Sequence, residues 1–177
     1  MTPSPDIRAM RREQWDHVVA GLGRPPIGLA SWDGRRTLGG WGATGPRKSD
    51  PITSVSLDHD QGGESRADPW VCIQTHASPV YLPHADWLAD WVVTLRSDEW
   101  RPDERRRSKI ERQVRSLAVR EITLSVDGEA VPFAALGEDD VWAAYADHEG
   151  LGITVAASGI PAAEIELTSA DPDAYLP

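Results

Sequence analysis

The chain is short of several things at once. Cysteine occurs once, as Cys72, so no internal disulfide can staple the fold. Phenylalanine also occurs once, at Phe133, and eight of the twelve aromatic residues are tryptophan, at positions 15, 32, 41, 70, 87, 91, 100 and 142. A few of those rings suit stacking on a ligand, but burial in a core is the commoner use of tryptophan. No stretch approaches the roughly 18 consecutive apolar residues of a membrane span, and the opening MTPSPDIRAMRREQW lacks the apolar run of a secretory signal. A soluble, cytoplasmic protein is the expectation. Cations are scarce too: the formal charge of −10 disfavours non-specific binding to nucleic acid or anionic membranes, which needs clustered Lys and Arg.

Reaction signatures are missing as well. The chain has no nucleophile elbow, metalloprotease signature or dinucleotide fingerprint. Residues 42–49, GATGPRKS, have the glycines of a phosphate-binding loop. However, Arg47 occupies the place of the second glycine, and Asp50-Pro51 blocks the helix that must follow. A basic turn is the better reading, and no cofactor is expected.

What is present is charge sorted along the chain. Residues 121–177 carry twelve acidic side chains and no Lys or Arg, whereas residues 101–120 hold seven Arg and one Lys against three acids. With 40% apolar residues in 177, the chain has enough material for one domain with a sizeable core. Residues 1–100 and 101–177 are candidate halves of that domain, with a linker candidate at residues 97–101.

Periodicity gives an α+β fold. Ile7, Met10, Trp15, Val18, Val19 and Leu22 have helical spacing after a cap at Asp6, and Gly21, Gly23 and Pro25 end that helix. Strands follow at residues 27–32 and 37–43, joined by Asp33-Gly34 as a hairpin. Another pair at 52–60 and 70–76 makes a hairpin with a long polar tip. Leu88, Trp91, Val92 and Leu95 mark a helix capped by Asp86. A second central helix starts at the Asp103 cap with Ile110, Val114, Leu117 and Ala118 as its stripe. The remainder reads as a five-strand antiparallel meander over residues 119–126, 130–135, 141–146 and 151–157 and a strand around Ile165 and Leu167.

Register follows from the turn Asp127-Gly128. It sets Val126 opposite Glu129, Leu124 opposite Val131 and Ile122 opposite Phe133, which puts the large apolar residues on one face. Pro132 then requires an edge or a bulge in its strand. Because alternate loops of a meander share one end, Asp127, Glu129, Asp147, His148, Glu149, Asp171 and Asp173 gather into an acidic rim, while Glu138, Asp139 and Asp140 lie at the far end.

That rim is the candidate binding site. A non-catalytic module engaging a basic protein partner, as an inhibitor, an immunity-like protein or an accessory subunit, is the leading expectation. The basic residues 101–120 offer a surface for self-association or for neutralising the sheet. His148 between two acids invites a metal, but no ligand spacing supports one, and a solvated turn is preferred. The alternative is a small enzyme or ligand-binding barrel with a Trp-lined pocket and a His/carboxylate pair drawn from Asp58, His59 and His76. Cys72 reads as buried filler and not as a nucleophile.

Overall fold

The structure, a computed structural model, describes residues 12–31, 38–45, 51–60, 69–79, 84–97, 103–138 and 140–175. Its elements in chain order are α1 (Arg12–Leu22), β1 (Ile27–Ser31), β2 (Leu38–Thr44), β3 (Ser54–Asp60), β4 (Trp70–His76), α2 (His84–Arg96), α3 (Glu104–Arg115), β5 (Arg120–Val126), β6 (Glu129–Glu138), β7 (Val141–His148), β8 (Leu151–Ser158), β9 (Glu166–Ser169) and the single turn α4 (Pro172–Tyr175). All nine strands join one sheet in the order β1-β9-β5-β6-β7-β8-β4-β3-β2.

The sheet curls until its first strand reaches its seventh. The Ile27 N–H at the start of β1 donates to Thr75 Oγ1 on β4 at 2.9 Å, and β3 and β2 extend beyond that contact. The concave face is filled by apolar side chains from β1, β4, β5, β6, β7, β8 and β9, with Phe133 and Trp142 among the largest. Trp142 keeps its indole N–H satisfied by donating to the Ile160 carbonyl at 2.8 Å. Where β3 projects past the seam, α1 takes over as cover, laying Trp15, Val18 and Leu22 on Val55 and Leu57.

On the convex face, α2 packs Leu88, Ala89, Val92 and Val93 over Leu136, Ala143, Tyr145 and Ala156. Alanines at 143 and 156 let the helix axis come close, so β7 and β8 are buried on both sides. Helix α3 lies against α2, starts at Asp103, whose carboxylate accepts the Arg106 N–H at 2.9 Å, and buries Val114.

The expected α+β class holds, and so does the hairpin register Val126↔Glu129, Leu124↔Val131, Ile122↔Phe133. Pro132 is accommodated as its chemistry demands. Strand β6 pairs with β7 only from Ala134 onward, so residues 129–133 have β5 as their single neighbour and no second ladder needs the missing N–H. The β3/β4 hairpin is present as well.

Three expectations need correction. The C-terminal meander has four strands and not five, because β9 crosses to the other side of β5 and runs parallel to it, through Ser125↔Glu166 and Val126↔Leu167. The sheet is therefore mixed and not purely antiparallel. Strands β1 and β2 do not form a hairpin either: β1 pairs with β9 and β2 with β3, at opposite edges of the sheet. The Asp33-Gly34 turn and the Asp6 cap lie outside the described residues, as does residue 139. Helix α2 already includes His84, so Asp86 stands in its first turn and does not cap it.

Phe133 is fully buried at the centre of the concave face. Phe133→Ala should cost about 3–5 kcal/mol in urea denaturation, against less than about 0.5 for the surface change Glu129→Gln. A Phe133→Ala loss under about 1 kcal/mol would place this ring outside the cooperative core.

Candidate functional site

Two places bring chemistry-bearing residues together. The first is the end of the sheet holding the β5–β6 and β7–β8 turns. Asp127 and Gly128 have φ of 52° and 84°, and Glu149 and Gly150 have 48° and 83°. Positive φ at both central residues is the mark of the tight turn that suits the twist of a hairpin. Arg24 connects the two turns, pairing with Glu149 and acting on the charge of Asp127, and β9 finishes beside Asp127 through Ser169.

These residues are not equivalent. Asp127 is used by the fold: its carboxylate accepts the Ser169 N–H at 2.7 Å, the Ser169 hydroxyl at 2.7 Å and the Thr168 hydroxyl at 2.8 Å, while its own N–H donates to the Leu167 carbonyl at 3.0 Å. Burial alone would push its pKa up, but the bonds from Ser169 and Thr168, with help from the Arg24 charge, outweigh it and hold the carboxyl below its ordinary value. Tyr145 donates its hydroxyl to Asp147. Glu149 pairs with Arg24, and Asp173 pairs with Arg12 at 3.0 Å. Asp171 accepts the Asp173 N–H at 2.9 Å. Glu129 is exposed, and His148 is half-buried.

The partial neutralisation of this end therefore comes from Arg12 and Arg24, ahead of β1 in the chain. Residues 101–120 do something else. Helix α3 carries six cations against two acids, and Arg115 reaches Asp86 on α2 at 2.8 Å and Glu111 at 3.9 Å. At the far end of the sheet Arg96 pairs with Glu138 at 3.6 Å. Among the described residues no group of three or more His, Cys, Asp or Glu could hold a metal ion.

The second place is the convex face of β3 and β4 beside α2. Cross-strand pairing sets Ser56 opposite Gln74 and Asp58 opposite Cys72. A hydrogen-bond chain runs through them: Gln74 Nε2 donates to Ser56 Oγ at 3.0 Å, the Ser56 hydroxyl donates to Cys72 Sγ, and the Cys72 thiol donates to Asp58. Trp70 and Trp91 stand over this polar row and, with Leu95, enclose a cavity of about 240 Å³. Trp91 is braced by Trp87 in a T-shaped contact at 6.5 Å, and the Trp87 indole N–H is itself held by Thr154 Oγ1 at 3.0 Å.

The His/carboxylate candidates do not assemble here. His59 is fully buried on the concave face, whereas Asp58, its chain neighbour, faces the other way. His76 shares the convex face with Asp58, but it lies four residues along β4 from Cys72, or about 13 Å at the strand rise. It packs edge-on against Trp87 at 5.8 Å, and burial lowers its pKa. Burial, followed by the charge of Asp58 and the hydrogen bond to it, drives the Cys72 pKa far upward, so the group is a thiol at neutral pH.

Comparison with protein-family models, with curated proteins and with solved structures finds no match to this chain. Among the described residues, no helix is long and apolar enough to cross a membrane.

Two outcomes follow from this geometry. Cys72 is 3% exposed and protonated, so the folded protein at pH 8 should react with iodoacetamide more than about tenfold slower than the urea-unfolded chain; equal rates would show an accessible thiolate. Asp127→Ala should cost about 1–2 kcal/mol at pH 7, through the lost charge-assisted bonds. Because the folded carboxyl ionises below its unfolded value of about 3.9, its contribution is whole above that pH and disappears as pH falls through the folded pKa. Urea titrations of the two proteins should thus differ by a constant amount above about pH 5, and the difference should shrink as pH falls below the ordinary carboxylate range.

Proposed function

We propose that this chain is a non-catalytic binding module whose acidic sheet end engages a basic protein partner. The observation that carries the reading is the shared placement of the two hairpin turns and the β9 terminus. It exposes Glu129, Asp147, Glu149, Asp171 and Asp173 on one end of a sheet whose interior is packed with apolar side chains. Arg12 and Arg24 each pair with one of these acids, and both pairs are solvent-exposed. Exposed pairs of that kind exchange readily for a partner's cations, since each is worth about 0–1 kcal/mol. A carboxylate surface of this sort speeds encounter with a cationic protein and rejects acidic ones. An inhibitor, an immunity-like protein or an accessory subunit fits that behaviour.

The interior of the curled sheet gives little support to a ligand-binding barrel. Phe133, Trp142 and their neighbours occupy the space that an internal ligand would need.

The test compares the wild type with Glu129→Gln/Glu149→Gln/Asp173→Asn in affinity capture from the native host. None of these three carboxylates is buried, so the variant should fold with a stability change of about 1–2 kcal/mol at most. A basic partner should bind the wild type at low salt, bind the variant at least about tenfold more weakly, and show a flatter salt dependence with the variant. Recovery of the same partners in the same yield by both proteins would refute the assignment.

A further inference from the structure

We infer, building on the acidic-end reading, that Arg24 is the chain's own stand-in for a partner's arginine: its guanidinium holds the place on the Glu149 turn that an arginine of the bound basic protein takes over. The group this turn receives is thus a guanidinium, and the Arg24 contact is autoinhibitory.

The acceptors belong to the turn between β7 and β8. The ladder of these strands ends at the pair His148↔Leu151, so Glu149 lies outside it, with φ of 48°. The Arg24 fork reaches two acceptors of this one residue. Nη2 pairs with the carboxylate, and Nη1 donates to the Glu149 carbonyl at 3.4 Å. The same positive charge acts on Asp127 in the β5–β6 turn. A planar fork meets a carbonyl and a carboxylate together, whereas an ammonium is a point charge without that fixed geometry. The arrangement therefore favours arginine over lysine. Arg12 meets Asp173 through one nitrogen and one oxygen, at 3.0 Å, and makes no comparable fork.

Arg24 can leave without disturbing the fold. Backbone on both sides of it is tied elsewhere: the Gly23 N–H donates to the Val19 carbonyl at 2.8 Å, and the Pro26 carbonyl accepts the Ala170 N–H at 2.8 Å. Only a long side chain has to swing aside. The pair is open to water, with the Arg24 side chain 31% exposed and that of Glu149 54%, and an exposed pair of this kind adds little stability. Until Arg24 moves, an incoming cation meets its charge, so the contact weakens binding and disfavours cations that cannot replace both of its bonds.

Calorimetric titration of the full chain at low salt, with hexa-arginine amide and hexa-lysine amide as probes, tests the exchange. Arg24→Gln should bind hexa-arginine about fivefold or more tightly than wild type. Arg105→Gln, which removes one exposed cation from α3 and changes the net charge equally, should stay within about twofold of wild type. Adding Glu149→Gln to Arg24→Gln should abolish the gain, and hexa-lysine should gain about twofold or less. The inference is overturned if Arg24→Gln binds hexa-arginine no more tightly than Arg105→Gln does, if both peptides gain equally, or if wild type and Arg24→Gln both leave hexa-arginine unbound at about 1 mM. Wild-type binding that Glu149→Gln weakens but Arg24→Gln does not strengthen would remove the stand-in and leave the acidic-end reading in place; that reading falls separately, by the host-capture comparison. Should Arg24→Gln fail to fold, Arg24→Lys decides: having lost the fork, it should bind hexa-arginine about twofold or more tightly than wild type, and equal affinity would overturn the inference.

Discussion

One carboxylate, that of Asp127, joins the pieces on which the curled sheet depends. It stands in the first position of a two-residue turn and accepts three hydrogen bonds from Thr168 and Ser169, at 2.7–2.8 Å. The parallel ladder between β5 and β9 contributes two register pairs, so these side-chain bonds are a large share of what ties β9 to β5. Strand β1 has β9 as its ladder partner and meets β4 through Thr75. Release of β9 would therefore free β1, open the seam and expose the apolar concave face. A turn chosen for hairpin geometry thus also acts as the latch of the fold.

The same latch assembles the acidic end. It brings the β9 terminus beside the β5–β6 turn, and Arg24, which meets Glu149 on the β7–β8 turn, also acts on the charge of Asp127. Repulsion is relieved by Arg12 and Arg24, while the strongly basic α3 is held off by α2 and presents its cations outward.

Much of this was legible from residue order and some was not. Strict alternation around Asp127-Gly128 gave the hairpin register to the residue, Asp103 marked the start of α3, and Pro132 announced a locally unpaired strand. Hairpin connectivity also puts the β5–β6 and β7–β8 turns at corresponding strand ends. The return of β9 beside β5 was not legible, since four residues carry too little pattern to choose between joining β8 and crossing over, and the deciding bonds come from one side chain forty-odd positions away. The convex cavity was hidden for a related reason: its walls, Trp70 and Trp91, belong to a strand and a helix whose packing no periodicity specifies. Adjacent strand residues face opposite ways, so Asp58 and His59 lie on different faces of β3, and the cross-strand neighbour of Asp58 is Cys72.

Native-state hydrogen exchange on wild type and Asp127→Ala tests the latch most directly. Loss of the carboxylate should speed exchange by about tenfold or more at Ser169 and at the β1 and β9 amides, while the β6–β7–β8 ladder keeps wild-type protection. Equal acceleration in every strand, or none in β1 and β9, would contradict the role assigned to Asp127.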